Sequence, residues 1–307
     1  MRVAVTGAAG FIGSALWRRL LDAGHSVVPV DIQGAESSPT INERFRRLSL
    51  PNADLLQCDV RHVSSEALAD VEAVIALAGL GGARGTNLRR YHERNVESLV
   101  SILDTLPTDE VPVYFASSSS VYGNAQTPHY ESRMPQPTHL YGESKLAAER
   151  LARGFCAAHP KASVVAMRFF TVYGPGQRPD MMFSRVLDED SVPLYGGGEH
   201  KRSFSFVEDV VDIMAQLLEV NPPKGFHLLN IGNPRSASLN DALEILSRLG
   251  ASVATLVPQE STIAEPAVTQ ASDSVLESWL GRRVRWSSLE EGLARQLSWA
   301  TAPERRE

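Results

Sequence analysis

Residues 2–31 read RVAVTGAAGFIGSALWRRLLDAGHSVVPVD, and this stretch decides the fold. A short β-type run, Arg2 to Thr6, passes at once into the glycine turn TGAAGFIG. SALWRRLLDAG then has helical periodicity and stops at Gly24, and SVVPVDI is a second buried-type strand carrying Asp31. Strand, glycine turn, helix and strand, with an acid about twenty residues past the turn, form the pattern of a dinucleotide-binding βαβ unit. Gly7 makes the sharp turn, Gly10 lets a diphosphate approach the backbone, and Gly13 lets the helix pack close to the strand. The helix start, at Phe11, Ile12 and Gly13, presents free N–H groups and the positive dipole end to that diphosphate. Asp31 can accept hydrogen bonds from the adenosine ribose hydroxyls. It would repel a 2′-phosphate, and no arginine immediately follows it, so NAD is expected rather than NADP. The spacing is G-x-x-G-x-x-G; three glycines alone say little, and the flanking strands and acid give them meaning.

The rest of the composition narrows the class. With 307 residues and 43% apolar content, the chain suits one large α/β unit or two modest domains. A formal net charge of -6 disfavours a nucleic-acid binder. The eight histidines form no ligand-like pair, so no metal is expected. Cys58 and Cys156 are distant, lie in apolar segments and lack metal-type spacing, which points to core packing in a reducing compartment. The N-terminus superficially resembles a signal peptide, but glycines punctuate it and it runs into Trp17-Arg18-Arg19. No apolar run approaches the ~18 residues needed to span a bilayer. A cytoplasmic protein with no membrane partner is the expectation.

Beyond Asp31 the alternation of strands and helices continues. Gly34 to Pro51, with Arg44, Arg46 and Arg47, reads as a solvated loop and helix. DLLQCDV is a third strand; Asp59, followed by Val60, either holds the adenine amino group or caps the next turn. AVIALAG is a fourth, and Leu77, Ala78 and Gly79 let the cofactor lie across its end. A glycine-rich loop, Gly81 to Thr86, contains Arg84, and the helical run NLRRYHERNVESLVSILDTL carries Asn95, suited to binding a backbone carbonyl below the site. VPVYFASSSSVYG is a fifth strand that breaks into serines at its carboxyl end, where ligands bind in such sheets. Next comes HLYGESKLAAERLARGF, in which Tyr141 and Lys145 project from one helix face one turn apart. A free tyrosine titrates near ~10 and a neighbouring ammonium lowers that value, so the pair is a candidate proton-transfer unit. The spacing alone is common; a serine hydroxyl, the tyrosine and the lysine converging beside a nicotinamide is not.

After Phe170 the pattern changes. TVYGPGQRPDM is rich in Gly and Pro, MMFSRVLDED is helical, and a glycine turn, short strand and helix from near Val207 follow. FHLLNIG is a strand, SLNDALEILSRLG a helix capped by Ser238 and Asp241, SVATLVP a strand and SLEEGLARQLSWA a terminal helix. The expected fold is α/β: a Rossmann-like doubly wound parallel sheet with a smaller, partly interleaved C-terminal α/β substrate lobe. Residues 1–170 and about 203–235 are assigned to the first unit, 171–202 and 236–302 to the lobe.

TGAAGFIG, SSSSVYG, YGESK, RFFTVYGPGQRPDM and SLEEGL, in this order, resemble the extended short-chain dehydrogenase/reductases. More narrowly they are similar to the NAD-dependent nucleotide-sugar epimerases and dehydratases, from Arg2 to about Ala300. The resemblance implies that Tyr141 is a catalytic base, that Lys145 is its partner and holds the nicotinamide ribose, and that Ser118 supplies the hydroxyl. It implies cofactor contacts at Gly7, Gly10, Gly13, Asp31 and Asp59, and a diphosphate-gripping role for Arg202. Where the family's 4,6-dehydratases carry an Asp-Glu pair this chain has Ser119 and Ser120, and its decarboxylases also commonly have Glu at the position of Ser120. Both subtypes are therefore disfavoured. RFFTVYGPGQRPDM is similar to the UDP-glucuronate 4-epimerase group, which implies that Thr171 and Arg178 hold the sugar and its carboxylate; an arginine fork suits a carboxylate. The expected substrate set is thus Arg84, Ser118, Ser119, Ser120, Thr171, Arg178 and Arg202.

Three departures stand out. Thr262 occupies a position where many members have an arginine, Ala264-Glu265 replaces a Gly-Asp pair, and the loop from Gly79 to Tyr91 is short. The activity expected is reversible 4-epimerisation of a nucleotide-diphosphate sugar. A ketoreductase, an oxidase, a dehydratase and a decarboxylase of the same family, or a non-catalytic NAD sensor, are the alternatives. A homodimer through the helix near Leu88–Leu106 and the helix of Tyr141 is the expected assembly, with Leu99 and Leu103 as apolar candidates.

Overall fold

The structure is a computed structural model and describes residues 1–82, 84–260 and 265–302. In chain order its first half comprises β1 (Arg2–Thr6), α1 (Phe11–Asp22), β2 (Ser26–Asp31), α2 (Pro39–Arg47), β3 (Leu56–Gln57), β4 (Ala73–Ala76), α3 (Leu88–Tyr91), α4 (Ser98–Thr105), β5 (Val113–Ser118) and α5 (Leu140–Ala158). There follow β6 (Ser163–Phe169), β7 (Thr171–Tyr173), α6 (Met182–Asp188), β8 (Ser191–Tyr195), β9 (Lys201–Arg202), β10 (Phe204–Phe206) and α7 (Val207–Leu217). The chain ends with β11 (Gly225–Ile231), β12 (Ala237–Ser238), α8 (Leu239–Arg248), β13 (Thr255–Gln259), α9 (Ser274–Leu280) and α10 (Leu289–Thr301).

Seven strands form one sheet in the order β11-β6-β5-β4-β1-β2-β3, and every neighbouring pair is parallel. A parallel sheet needs both faces covered, so its strands read as continuous apolar runs. β4 (AVIA) and β6 (SVVAMRF) are buried at every residue. On one face Leu16, Trp17 and Leu20 of α1 pack with Val210, Val211 and Met214 of α7. On the other, Leu99, Ile102 and Leu103 of α4 meet Ala148, Ala152 and Cys156 of α5. That corrects the expectation for Leu99 and Leu103: at 4% and 6% exposure they fill this chain's own core and offer nothing to a second subunit. Helical periodicity finds an apolar face but does not say which surface covers it.

A third apolar cluster, Tyr173, Phe183, Val186, Phe206, Ala242, Leu246 and Leu293, joins α6, α8 and α10 around β7 and β10. The parallel pair β8–β13 lies alongside. Leu276 and Trp286 pack into the first core, with α1 and α7. The helices have sequence-encoded starts. Ser38 caps α2 ahead of Pro39, and Ser238/Asp241 and Ser288/Glu291 form reciprocal capping boxes on α8 and α10. Such a cap contributes about 1 kcal/mol. No helix among the described residues is long and apolar enough to cross a membrane.

Candidate active site

The carboxyl ends of β1, β4 and β5 open onto one crevice at the point where the strand order reverses, and the turns that leave them build the site. Gly7 has φ +70, and a Cβ on it would meet the Ala78 nitrogen at 2.8 Å, so the turn after β1 lies against the end of β4. Thr6 clamps the two: its oxygens accept from the N–H groups of Leu77 (backbone O, 3.1 Å) and Ala78 (Oγ1, 3.2 Å). A Cβ at Gly13 would approach the Gly7 carbonyl oxygen to 2.0 Å, which only glycine permits. No side chain caps α1, so the N–H groups of Phe11, Ile12 and Gly13 remain for a ligand. Asp31 accepts from the Ala9 N–H at 3.0 Å, and burial holds its carboxyl above the usual range. A cradle closed to side chains, a helix start without a cap and an acid beside it fit a dinucleotide's diphosphate and ribose.

Asp59 stands at the end of the third strand region, where the capping contact is made. It caps the turn Val60–His62 and binds Arg61 (2.8 Å) and Arg94 (3.1 Å), whose charges hold it far below the carboxylate range. Asn95 lies in a π-type turn, His92–Glu97, between α3 and α4. It bonds both backbone groups of Leu80 (2.7 and 3.1 Å) and the Ser144 hydroxyl (2.9 Å), so it fastens the loop after β4 to the helix of Tyr141. A Cβ on Gly79 would collide with Asn95 Oδ1 at 2.9 Å and crowd Lys145 Nζ at 3.3 Å.

β5 ends in Ser118, whose hydroxyl caps the turn Ser119–Tyr122 by accepting from the Ser120 N–H at 3.1 Å. α5 starts with His139, whose Nδ1 accepts from the Gly142 N–H and whose ring stacks on Tyr141. Tyr91 approaches Tyr141 as well, with ring centroids 6.1 Å apart. Burial raises the Tyr141 phenol; the Ser118 hydroxyl and then the charge of Arg178 pull it down. Lys145 Nζ donates to the Ala116 carbonyl at 2.8 Å and lies 5.9 Å from the Tyr141 ring centroid. The burial that penalises the phenolate also brings Lys145 down to about 8.

The predicted substrate residues divide into two clusters. Arg178 follows β7 and forms a fork with Asp180 at 2.8 and 3.1 Å, near enough to Tyr141 to act on it electrostatically. Thr171 opens β7, its N–H on the Ser203 carbonyl next to Arg202. Arg84 and Arg202 converge from different parts of the chain on the same carboxylate, Glu265, at 2.9 and 3.0 Å. Arg84 also stacks on Tyr195, 3.8 Å from the ring centroid. Glu265, which the sequence presents only as a departure, is therefore the acid that gathers the two arginines. Thr262 and Ala264, the other two replaced positions of that segment, lie outside the described residues.

Sequence reasoning missed three residues. His139 lies two positions before Tyr141, where a helix N-cap belongs, and that position was its signal. Tyr91 carried none. Arg44, read as solvated, is 4% exposed.

The profile of the NAD dependent epimerase/dehydratase family matches residues 3–232. The chain belongs to that family. Among curated relatives, the "Uncharacterized UDP-glucose epimerase YtcB" of Bacillus subtilis is 30% identical over 321 residues, covering 98% of both chains. Two solved structures superpose over nearly the whole length. MoeE5, in complex with UDP-glucuronic acid and NAD, is 35% identical with a TM-score of 0.85, over 97% of this chain and 98% of that one. The UDP-glucuronic acid 4-epimerase from Bacillus cereus, in complex with UDP-glucuronic acid and NAD, is 29% identical with a TM-score of 0.87, over 98% and 99%.

Proposed function

We propose that this protein is an NAD-dependent 4-epimerase of a nucleotide-diphosphate sugar, with UDP-glucuronate and UDP-hexoses as the first candidates. One observation carries the reading: a half-buried tyrosine, Tyr141, is tuned by a serine hydroxyl, Ser118, and by the guanidinium of Arg178, while the two residues after Ser118 are serines and bring no acid for expelling water. MoeE5 has been solved in complex with NAD and either UDP-glucuronic acid or UDP-glucose, and the Bacillus cereus enzyme in complex with NAD and UDP-glucuronic acid, which supports these two sugars as the first candidates.

Bound NAD supplies a reversible acceptor for the hydrogen at C4 of the sugar. The protein's own groups handle the proton and the geometry. Tyr141 Oη takes the proton of the 4-hydroxyl as C4 becomes a ketone, and returns it once the sugar has turned over. Ser118 stabilises the charge on the reacting oxygen. Lys145, which donates to the Ala116 carbonyl, binds the nicotinamide ribose in this reading. Arg178 exchanges its Asp180 fork for the sugar carboxylate, and Arg84 and Arg202 exchange Glu265 for the diphosphate. Phe11, Ile12, Gly13 and Asp31 hold the dinucleotide, with Val60, Leu77, Ala78 and Gly79 along its adenine and central parts.

The domain division belongs to the same proposal, with one change: the segment around Leu276 and Trp286 is assigned to the sheet domain, whose core it joins. A cytoplasmic homodimer is also part of the reading, using exposed Leu88 and Leu151 on the outer faces of α3 and α5 rather than Leu99 and Leu103. Incubating the purified protein, without added cofactor, with a panel of nucleotide sugars and following the sugars by NMR tests the activity. A 4-epimer mixture is expected. A stoichiometric demand for NAD(P)H or NAD, or loss of water or CO2, would replace epimerisation by one of the related redox activities.

A further inference from the structure

Arg44 is a buried cation to which the proposed chemistry gives no task. It stands on α2, 4% exposed. Its Nη1 donates to the Ala9 carbonyl at 2.8 Å and its Nε to the Gly176 carbonyl at 2.5 Å. Ala9 belongs to the glycine turn, and its own N–H donates to Asp31 Oδ2 at 3.0 Å. Gly176 stands two positions before Arg178, has φ +76, and would bring a Cβ to 3.3 Å from Arg44 Cγ. Arg44 therefore occupies a seam: one end grips the cofactor turn, the other the loop that carries the sugar-facing arginine. The charges around it agree with that place. Burial and then the charge of Arg178 bring its pKa down to about 10, and Asp31 and Glu43 work against that fall. A guanidinium presents several donors in a rigid plane and so can hold two carbonyls at once; an ammonium is a point charge on a flexible stem. An arginine buried merely as filler would leave a charge without partners, which costs several kcal/mol. Here both carbonyls are met.

We propose that Arg44 is a positioning residue that ties the glycine turn of the cofactor site to the Gly174–Asp180 loop, so that filling the cofactor turn and setting Arg178 are one event. The kinetic part rests on the substrate role given to Arg178 above; the tie itself does not.

The test uses the NAD-loaded protein and the variants Arg44→Met, Arg44→Lys, Arg178→Ala and the Arg44→Met/Arg178→Ala pair. Hydrogen exchange reads the tie: Arg44→Met should speed exchange in both residues 7–13 and residues 174–181 while leaving the strand Gly225–Ile231 unchanged. Kinetics read the consequence: KM should rise about tenfold with kcat within about threefold, and Arg44→Met should add less than about threefold to KM once Arg178 is alanine. Arg44→Lys should show the same changes at smaller size, and it carries the comparison if the methionine variant does not fold. Faster exchange in only one of the two segments, or in neither, overturns the tie. Where Arg178→Ala alone raises KM, an Arg44→Met effect that multiplies in the double variant overturns the claim that the tie acts through Arg178. If Arg178→Ala leaves KM unchanged, the substrate role of Arg178 fails; joint acceleration of the two segments then still supports the tie.

Discussion

The two halves of the site are prepared in opposite ways. The cofactor half is backbone: a glycine turn that no Cβ can enter, a helix start that no side chain caps, and N–H groups directed outward. The proposed substrate half is side-chain charge, and each of its three arginines already has a carboxylate, Glu265 for Arg84 and Arg202 and Asp180 for Arg178. A ligand reaching the first half displaces nothing built into the chain. A ligand reaching the second must compete with an internal acid, so its gain is the difference between two ion pairs. The first half is thus suited to a cofactor that stays, the second to a substrate and product that exchange.

The largest effect expected from breaking this contrast is at the junction of the halves. Tyr141→Phe removes the proton acceptor and should lower turnover by about two orders of magnitude or more, measured on NAD-loaded protein of unchanged thermal midpoint. Near-normal turnover would remove Tyr141 from its role. On the cofactor side, Gly13→Ala puts a methyl 2.0 Å from the Gly7 oxygen. Nicotinamide dinucleotide released from the denatured, purified variant should drop about tenfold or more, because the turn has no other conformation to offer. A variant that still co-purifies with a full complement would show that the turn is not the anchor.

The third effect concerns pH. Tyr141 is raised by burial, so its basic form grows as pH rises and turnover should climb on the alkaline side of neutrality. Ser118 is the first influence holding that phenol down. Ser118→Ala should therefore move the rising limb to higher pH and reduce neutral-pH turnover by about tenfold; a limb that stays in place would refute the coupling. The smallest effect belongs to the substrate side. Glu265→Gln frees Arg84 and Arg202 of their internal acid, and KM should fall about threefold at low salt, with the gain shrinking as salt is added. A rise in KM would mean that Glu265 holds the arginines in place rather than competing for them.

Local signals are legible in the chain wherever backbone geometry dictates residue type. The three glycines of the turn, the Tyr141–Lys145 spacing and the Ser238/Asp241 cap each announce themselves within a few residues. SVATLVP is a strand shifted to Thr255–Gln259, and α9 escaped notice because seven residues give too few turns for a period to show. Arg44 reads as solvated because an arginine in a polar run usually is; nothing nearby in sequence reveals that Gly176 will lie over it.

The sequence by itself determined the alternation of strands and helices, the dinucleotide turn and the one-turn spacing of Tyr141 and Lys145, because period, glycine and spacing are properties of neighbouring residues. Tertiary structure alone decided that Leu99 and Leu103 serve this chain's own core, that Lys145 answers to Ala116 while Ser118 and Arg178 tune Tyr141, and that Glu265 and Arg44 take their posts. Those outcomes depend on burial and on partners far apart in the chain, and both come into being only when the sheet has brought them together.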